Sequence, residues 1–315
     1  MHSFFGSDAV TVNTTTSEEL RAGCHTNDNP NDYSVYCMVQ TLASLGTYER
    51  IPIEPRYFKA YYIGIESAEI PYPEDFKTVA GSASAKSQAD VDELTGVQWF
   101  CEYGPAKAEG ADVAAFPTTG CDIGRLQSLL LFHDCVNPNT LESAYSGRHN
   151  LPRVNRCPEG MSRIPQLRFS VRFDTSEALP DGWSGEAPLQ LASGPSYSWH
   201  GDFINGWVPE AAKNMLQAGG KRDFQAVKGP LDKQPACTPK DSEPDNGTSD
   251  YEESLLSFQN QALPVAAASS SAFSTAAAAA TTSVVSSASD AAATSSPAAT
   301  GCKRAKRARR TTWDA

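Results

Sequence analysis

One imidazole and one carboxylate stand two residues apart at His200 and Asp202, inside the run Trp199-His200-Gly201-Asp202-Phe203-Ile204-Asn205-Gly206-Trp207. On an extended backbone residues i and i+2 point to the same face, so both side chains can address one ligand. Gly201 and Gly206 let the chain turn sharply or approach a partner closely. His200 in this setting suits a general base, oriented by a carboxylate. If His2 joins them, two imidazoles and a carboxylate would bind a divalent metal ion and leave a position for water. Metal-activated water would then hydrolyse a glycosidic or ester bond. A structural role is equally open, since a buried histidine bonded to an aspartate or to backbone often only fixes a turn. Trp199 and Trp207 are then core aromatics; exposed, they would stack on the apolar face of a sugar, as would Trp99, Trp183, Tyr61 or Tyr62. His133 and His149 are further candidates outside the histidine motif. Neither a Ser-His-Asp triad, a phosphate-cradling loop nor a dinucleotide fingerprint is recognisable.

The elements that must carry these residues read as mainly β. Leu167, Phe169, Val171 and Phe173 alternate with Arg168, Ser170 and Arg172, the pattern of a half-buried strand. Extended segments are also expected from Tyr57 to Ile65, Val97 to Tyr103 and Leu129 to Phe132. Turn signals such as Asn29-Pro30-Asn31-Asp32 and Pro180-Asp181-Gly182 separate them. One short peripheral helix is expected after Pro209, with Ala211, Ala212, Met215 and Leu216 at helical spacing. The fold class is an antiparallel β-sandwich or jelly-roll-like single domain with long loops.

The folding unit should end near residue 225. Residues 226–264 read as an acidic polar linker. Residues 265–302 are nearly all Ala, Ser, Thr and Val, too apolar-poor to offset their chain entropy, and are expected to be a disordered stalk. Residues 303–315 form a basic tail. The formal charge is −11, and the tail alone carries +5, so the remainder stands at −16. An acidic body repels nucleic acid and anionic membrane surfaces, and neither is an expected partner. No apolar run is long enough to span a bilayer.

Eight dispersed cysteines without a CxxC pair fit disulfides better than a zinc ribbon, which implies an oxidising compartment. The sequons at Asn13 and Asn246 agree with that compartment. The basic run from Lys303 to Arg310 gives an alternative, nuclear location, or a tether to polyanions.

Taken together, His200-Gly201-Asp202-Phe203-Ile204-Asn205-Gly206-Trp207, Cys121-Asp122-Ile123-Gly124-Arg125-Leu126, Phe132-His133-Asp134-Cys135, Arg156-Cys157-Pro158 and Ile164-Pro165-Gln166-Leu167 resemble a family. It is the fungal, partly actinobacterial, secreted family of unknown function whose members often carry WSC cell-wall modules. The resemblance covers roughly residues 1–225. It implies a secreted or wall-bound protein that binds or processes cell-wall polysaccharide, with a hydrolase or lyase using His200 and Asp202, or a purely structural wall protein, as the other roles. His2 matches the second histidine of the family's N-terminal His-x-His element, so a leader and a first strand are expected upstream. Cys37 stands where the family tends to have Trp and is expected to be a poor disulfide partner. His133 replaces a usual proline.

Overall fold

The computed structural model describes residues 2–11, 13–45, 49–53, 55–103, 112–147 and 157–217. The expected linker, stalk and basic tail, and His149, lie outside them. In chain order the elements are β1 (His2–Gly6), α1 (Ser17–Arg21), β2 (Val35–Val39), β3 (Thr41–Leu45), β4 (Glu49–Ile53), β5 (Pro55–Ile63), β6 (Lys77–Gly81), β7 (Gln98–Cys101), β8 (Arg125–Leu131), β9 (Cys135–Val136), β10 (Ser143–Ala144), β11 (Ser162–Arg163), β12 (Gln166–Asp174), β13 (Leu189–Leu191), β14 (His200–Ile204) and α2 (Pro209–Leu216).

The strands form four antiparallel sheets, ordered β1-β2-β14-β6, β5-β12-β8-β7, β13-β3-β4 and β10-β9-β11. The mainly β expectation is therefore met, and the alternation at Leu167–Phe173 is the centre of β12. Leu167, Phe169, Val171 and Phe173 are buried, as the period of two requires. The two four-stranded sheets face each other. Phe5 of β1 stacks on Phe58 of β5 with centroids 4.3 Å apart, and Tyr36 of β2 meets Phe169 of β12 edge-on at 6.0 Å. Gly201 lets them close: a Cβ there would stand 2.8 Å from Phe169 Cε2 and 2.9 Å from the Cys37 carbonyl oxygen.

Among the described residues two α-helices form where one was expected. The missed one, α1, begins with a capping box in which Thr16 accepts from the Glu19 amide and Glu19 reaches back to the cap. It buries Leu20 completely, but five residues are too few to display an apolar period. In α2 Pro209 sits in the first turn, and Ala211, Ala212 and Met215 pack on Trp207.

Covalent ties hold the loops that leave the second sheet. Cys101 pairs with Cys121 and Cys135 with Cys157. Closing loops of 20 and 22 residues stabilises a fold by about 3 kcal/mol each in the chain-entropy account. Cys37 is also disulfide-bonded, against the expectation drawn from its departure from the family pattern. Its buried position in the middle of β2 brings the sulfur to a fixed place, whatever residue relatives carry there. Asp134, fully buried, accepts from the Ser146 amide (2.7 Å) and hydroxyl (2.6 Å), and pairs with Arg163 at 2.8 Å. These contacts fasten the β10-β9-β11 sheet to the chain that follows β8.

Candidate functional site

Residues of β14 alternate between the core and the outer face of the first sheet. Phe203 and Gly201 face Phe169, so His200 and Asp202 share the opposite face, as the spacing predicts. On β1, His2 pairs with Val39; on β14, Gly201 pairs with Met38, so His200 is level with Val39 from the other side. The two histidines thus flank one valine across three strands. Their rings meet above it, with Nε2 atoms 2.9 Å apart and planes at 75°.

The proton positions follow from the partners. Nδ1 of His200 lies 2.7 Å from the Ser198 carbonyl oxygen, which can only accept, so Nδ1 carries the hydrogen. In neutral His200 the Nε2 lone pair then points at His2, whose Nε2–H donates to it. A histidine held through one nitrogen by a backbone carbonyl, with the other left as a lone pair, is also the arrangement found at metal ligands.

Burial keeps both rings neutral. Desolvation first, then the charge of His200, pushes His2 down to about 3, and desolvation lowers His200 too. Desolvation acts oppositely on Asp202 and raises it to about 6. Asp202 shares the face of His200 one pleat period away, about 6.6 Å along the strand. The three do not form a single metal cradle: among the described residues no group of three or more His, Cys, Asp and Glu is placed to hold an ion. His2 and His200 bring their ring nitrogens together, and Asp202 lies on the same face one pleat period further along β14.

Trp199 and Trp207 are 0% and 2% exposed and present no ring face to a sugar. Each is scaffold. Trp199 packs 5.0 Å from Trp99 behind β14. Trp207 donates from Nε1 to Tyr62 Oη at 2.8 Å, Tyr62 bonds to Tyr36 at 2.6 Å, and Tyr36 donates to Asp32 at 2.5 Å. Burial raises Asp32 to about 6 despite those donors. Trp99 is buried as well, and Tyr61 lies under the Arg168 guanidinium at 4.6 Å.

Beside the histidines the sheet ends in a hollow. In register, His200 pairs with Gly81 and Asp202 with Val79, both on β6, the last strand of the sheet. Val79 and Gly81 line a cavity of about 210 Å³ together with Asp90, Asp92, His133 and Tyr145. It opens one strand spacing, about 4.8 Å, from the His200 strand. Gly81 lets β6 approach the Trp199–His200 backbone closely: its φ of +77° suits glycine, and a Cβ would fall 2.1 Å from the Trp199 carbonyl oxygen. His133 is fixed at the cavity wall through Nδ1, 2.8 Å from Ser143 Oγ and 3.0 Å from Thr78 Oγ1.

The model of one family, the domain of unknown function DUF1996, matches residues 1–207. The chain belongs to DUF1996. That match takes in every strand of the two facing sheets and ends at Trp207, the last residue of the histidine-bearing motif. No curated protein and no solved structure matches the chain. No helix among the described residues is long and apolar enough to cross a membrane.

Within this DUF1996 domain, sequence reasoning found the two histidines that meet but not their neighbours. Asp90 and Asp92, two residues apart, meet Tyr145 and Tyr197 at the cavity from segments distant in sequence, and no motif joins that pair to the histidines. His25, which no motif singled out, is a core residue packed edge-on against Tyr33 at 4.5 Å. His133 does have a place at the cavity, although its strongest sequence signal was only a departure from the family pattern.

Proposed function

We propose that the domain acts on polysaccharide at the fungal cell wall, the outer face of the β1-β2-β14-β6 sheet receiving the polymer and His200 and Asp202 moving protons. One observation carries this reading. His200 keeps a neutral imidazole with an Nε2 lone pair, on the same strand face as an acid raised to about 6, beside a hollow at the sheet edge. Burial that lowers the base and raises the acid lets a neutral His200 and a protonated Asp202 coexist in mildly acidic solution, the states that general base and general acid need. In hydrolysis of a glycosidic bond, water replaces His2 as the partner of His200 Nε2 and attacks the anomeric carbon. His200 takes the water proton, and protonated Asp202 gives its own to the leaving oxygen. Mildly acidic conditions, below about pH 6, favour the protonated acid. The disulfides and sequons support an extracellular setting.

The converging Nε2 atoms favour one further reading, in which His2 and His200 would hold a divalent metal ion whose chemistry would be the activation of water. The full chain incubated with wall polysaccharides, with and without chelator, tests both. Release of reducing ends that His200→Ala abolishes and chelator spares supports the acid–base reading, and loss with chelator supports the metal. Retention on polysaccharide without any turnover makes the domain a binding module. Absence of both turnover and saturable retention would leave a structural wall protein and overturn the proposal.

A further inference from the structure

Resting on the polysaccharide reading, we infer that the cavity beside β6 is a subsite for a sugar ring bearing a protonated amine. About 210 Å³ equals the liquid volume of about seven waters, enough for one pyranose-sized ring. Its walls offer what such a ring needs. Tyr197, part-exposed at the cavity, supplies the aromatic face that Trp199 and Trp207 cannot, and Val79, 41% exposed, adds apolar surface opposite. Trp199 also lines the cavity, and its buried Nε1–H has no hydrogen-bond partner among the described residues.

Charge selects the amine. Asp90 and Asp92 line the cavity, and no lysine or arginine does. Asp90 is held ionised by the Lys86 and Ser87 amides, each 3.0 Å from Oδ2. His133, the remaining side chain of basic type, is lowered by burial, against the opposing charges of Asp134 and Asp92. A sugar carboxylate or sulfate would meet two like charges here; an ammonium would meet two opposite ones. The body outside the basic tail, at −16, attracts a polycationic chain.

Titration calorimetry of the full chain with oligomers of glucosamine, N-acetylglucosamine and glucose tests the assignment. Glucosamine oligomers are expected to bind at least about tenfold more tightly than the other two at low salt, and to lose that margin as salt rises. Asp92→Asn should remove most of the preference. The variant keeps the fold, because an asparagine oxygen can still accept the Leu94 amide that Asp92 caps at 2.9 Å. Tyr197→Ala should weaken all three oligomers alike. If neutral oligomers bind as tightly as the amine, or Asp92→Asn leaves the preference intact, the subsite assignment falls and the polysaccharide reading stands. If no oligomer and no wall polysaccharide binds, that reading falls with it.

Discussion

Nε2 of His2 lies 2.9 Å from Nε2 of His200, while the other nitrogen of His200 is held by the Ser198 carbonyl. The hydrogen-bonded pair is slightly tighter than a pair of zinc ligands. Two nitrogens at about 2.0–2.1 Å from a tetrahedral ion stand about 3.3 Å apart. Zinc would need the pair to open by a few tenths of an ångström and to lose the shared proton.

Zinc is accordingly expected to raise the melting temperature of the full chain if the two-histidine metal reading holds. At a hundredfold excess over Kd the gain is about 2.7 kcal/mol. His200→Ala and His2→Ala should each abolish it. An unchanged melting curve with zinc at pH 7 would remove the metal reading and leave the acid–base one.

Stability should depend on pH through opposed groups. His2 is depressed on folding, so it makes the fold less stable as pH drops from about 6.5 towards about 3, and His200, also depressed, acts in the same direction. Asp32 and Asp202 are raised, so their contribution is fully present below about 3.8 and is lost as pH rises through about 6. The two trends offset each other between pH 4 and 6. Asp32→Asn removes part of the second trend, roughly 3 kcal/mol between its limits, and acidification should then destabilise the variant more steeply. Urea unfolding across that range reads the difference, and parallel curves for parent and variant would contradict it.

The two tryptophans of the histidine motif should respond differently to Phe. Trp207→Phe takes the Nε1–H from Tyr62 and unsettles the chain of hydroxyls that ends at Asp32. Trp199→Phe removes a donor that has no protein acceptor among the described residues. With similar volume lost at both sites, Trp207→Phe should cost about 1–2 kcal/mol more in denaturant unfolding. Equal losses would mean that packing alone decides.

Gly201→Ala should destabilise by about 1–3 kcal/mol, because the new methyl meets Phe169 and the Cys37 carbonyl between the facing sheets. Gly182→Ala offers a control of another kind. Gly182 has φ of +63°, but a Cβ would stand 3.7 Å from its nearest neighbour, so only backbone strain of about 1 kcal/mol is expected. A similar cost for both would show that sheet-to-sheet contact at Gly201 relaxes freely.

Strands with a strict period of two were legible in the sequence, as at Leu167–Phe173, because one face of each is buried and the other is not. The helix α1 was not, since its capping box is a weak local signal and its apolar content is one leucine. His200 and Asp202 could be placed on one face from their spacing, and His2 could be paired with them from the family's N-terminal element. Their mutual geometry could not. His2 and Asp202 lie on β1 and β14 with β2 between them, and only register decides that one reaches His200 and the other stays a pleat away. The tryptophans misled for a related reason: an aromatic beside a polar motif looks alike whether its ring faces solvent or core. Asp92, Tyr145 and Tyr197 share the cavity only through tertiary packing, which no local pattern encodes.

β1 is the edge of its sheet and pairs with β2 alone among the described residues. Half of the histidine pair therefore rides on a strand held by a single ladder. Its fraying would part the imidazoles while the facing sheets stayed folded, so the site can be dismantled at a cost well below that of global unfolding. The availability of the His200 lone pair is thus set by a local opening of five residues, and amide exchange along His2–Gly6 would report how often the site is assembled.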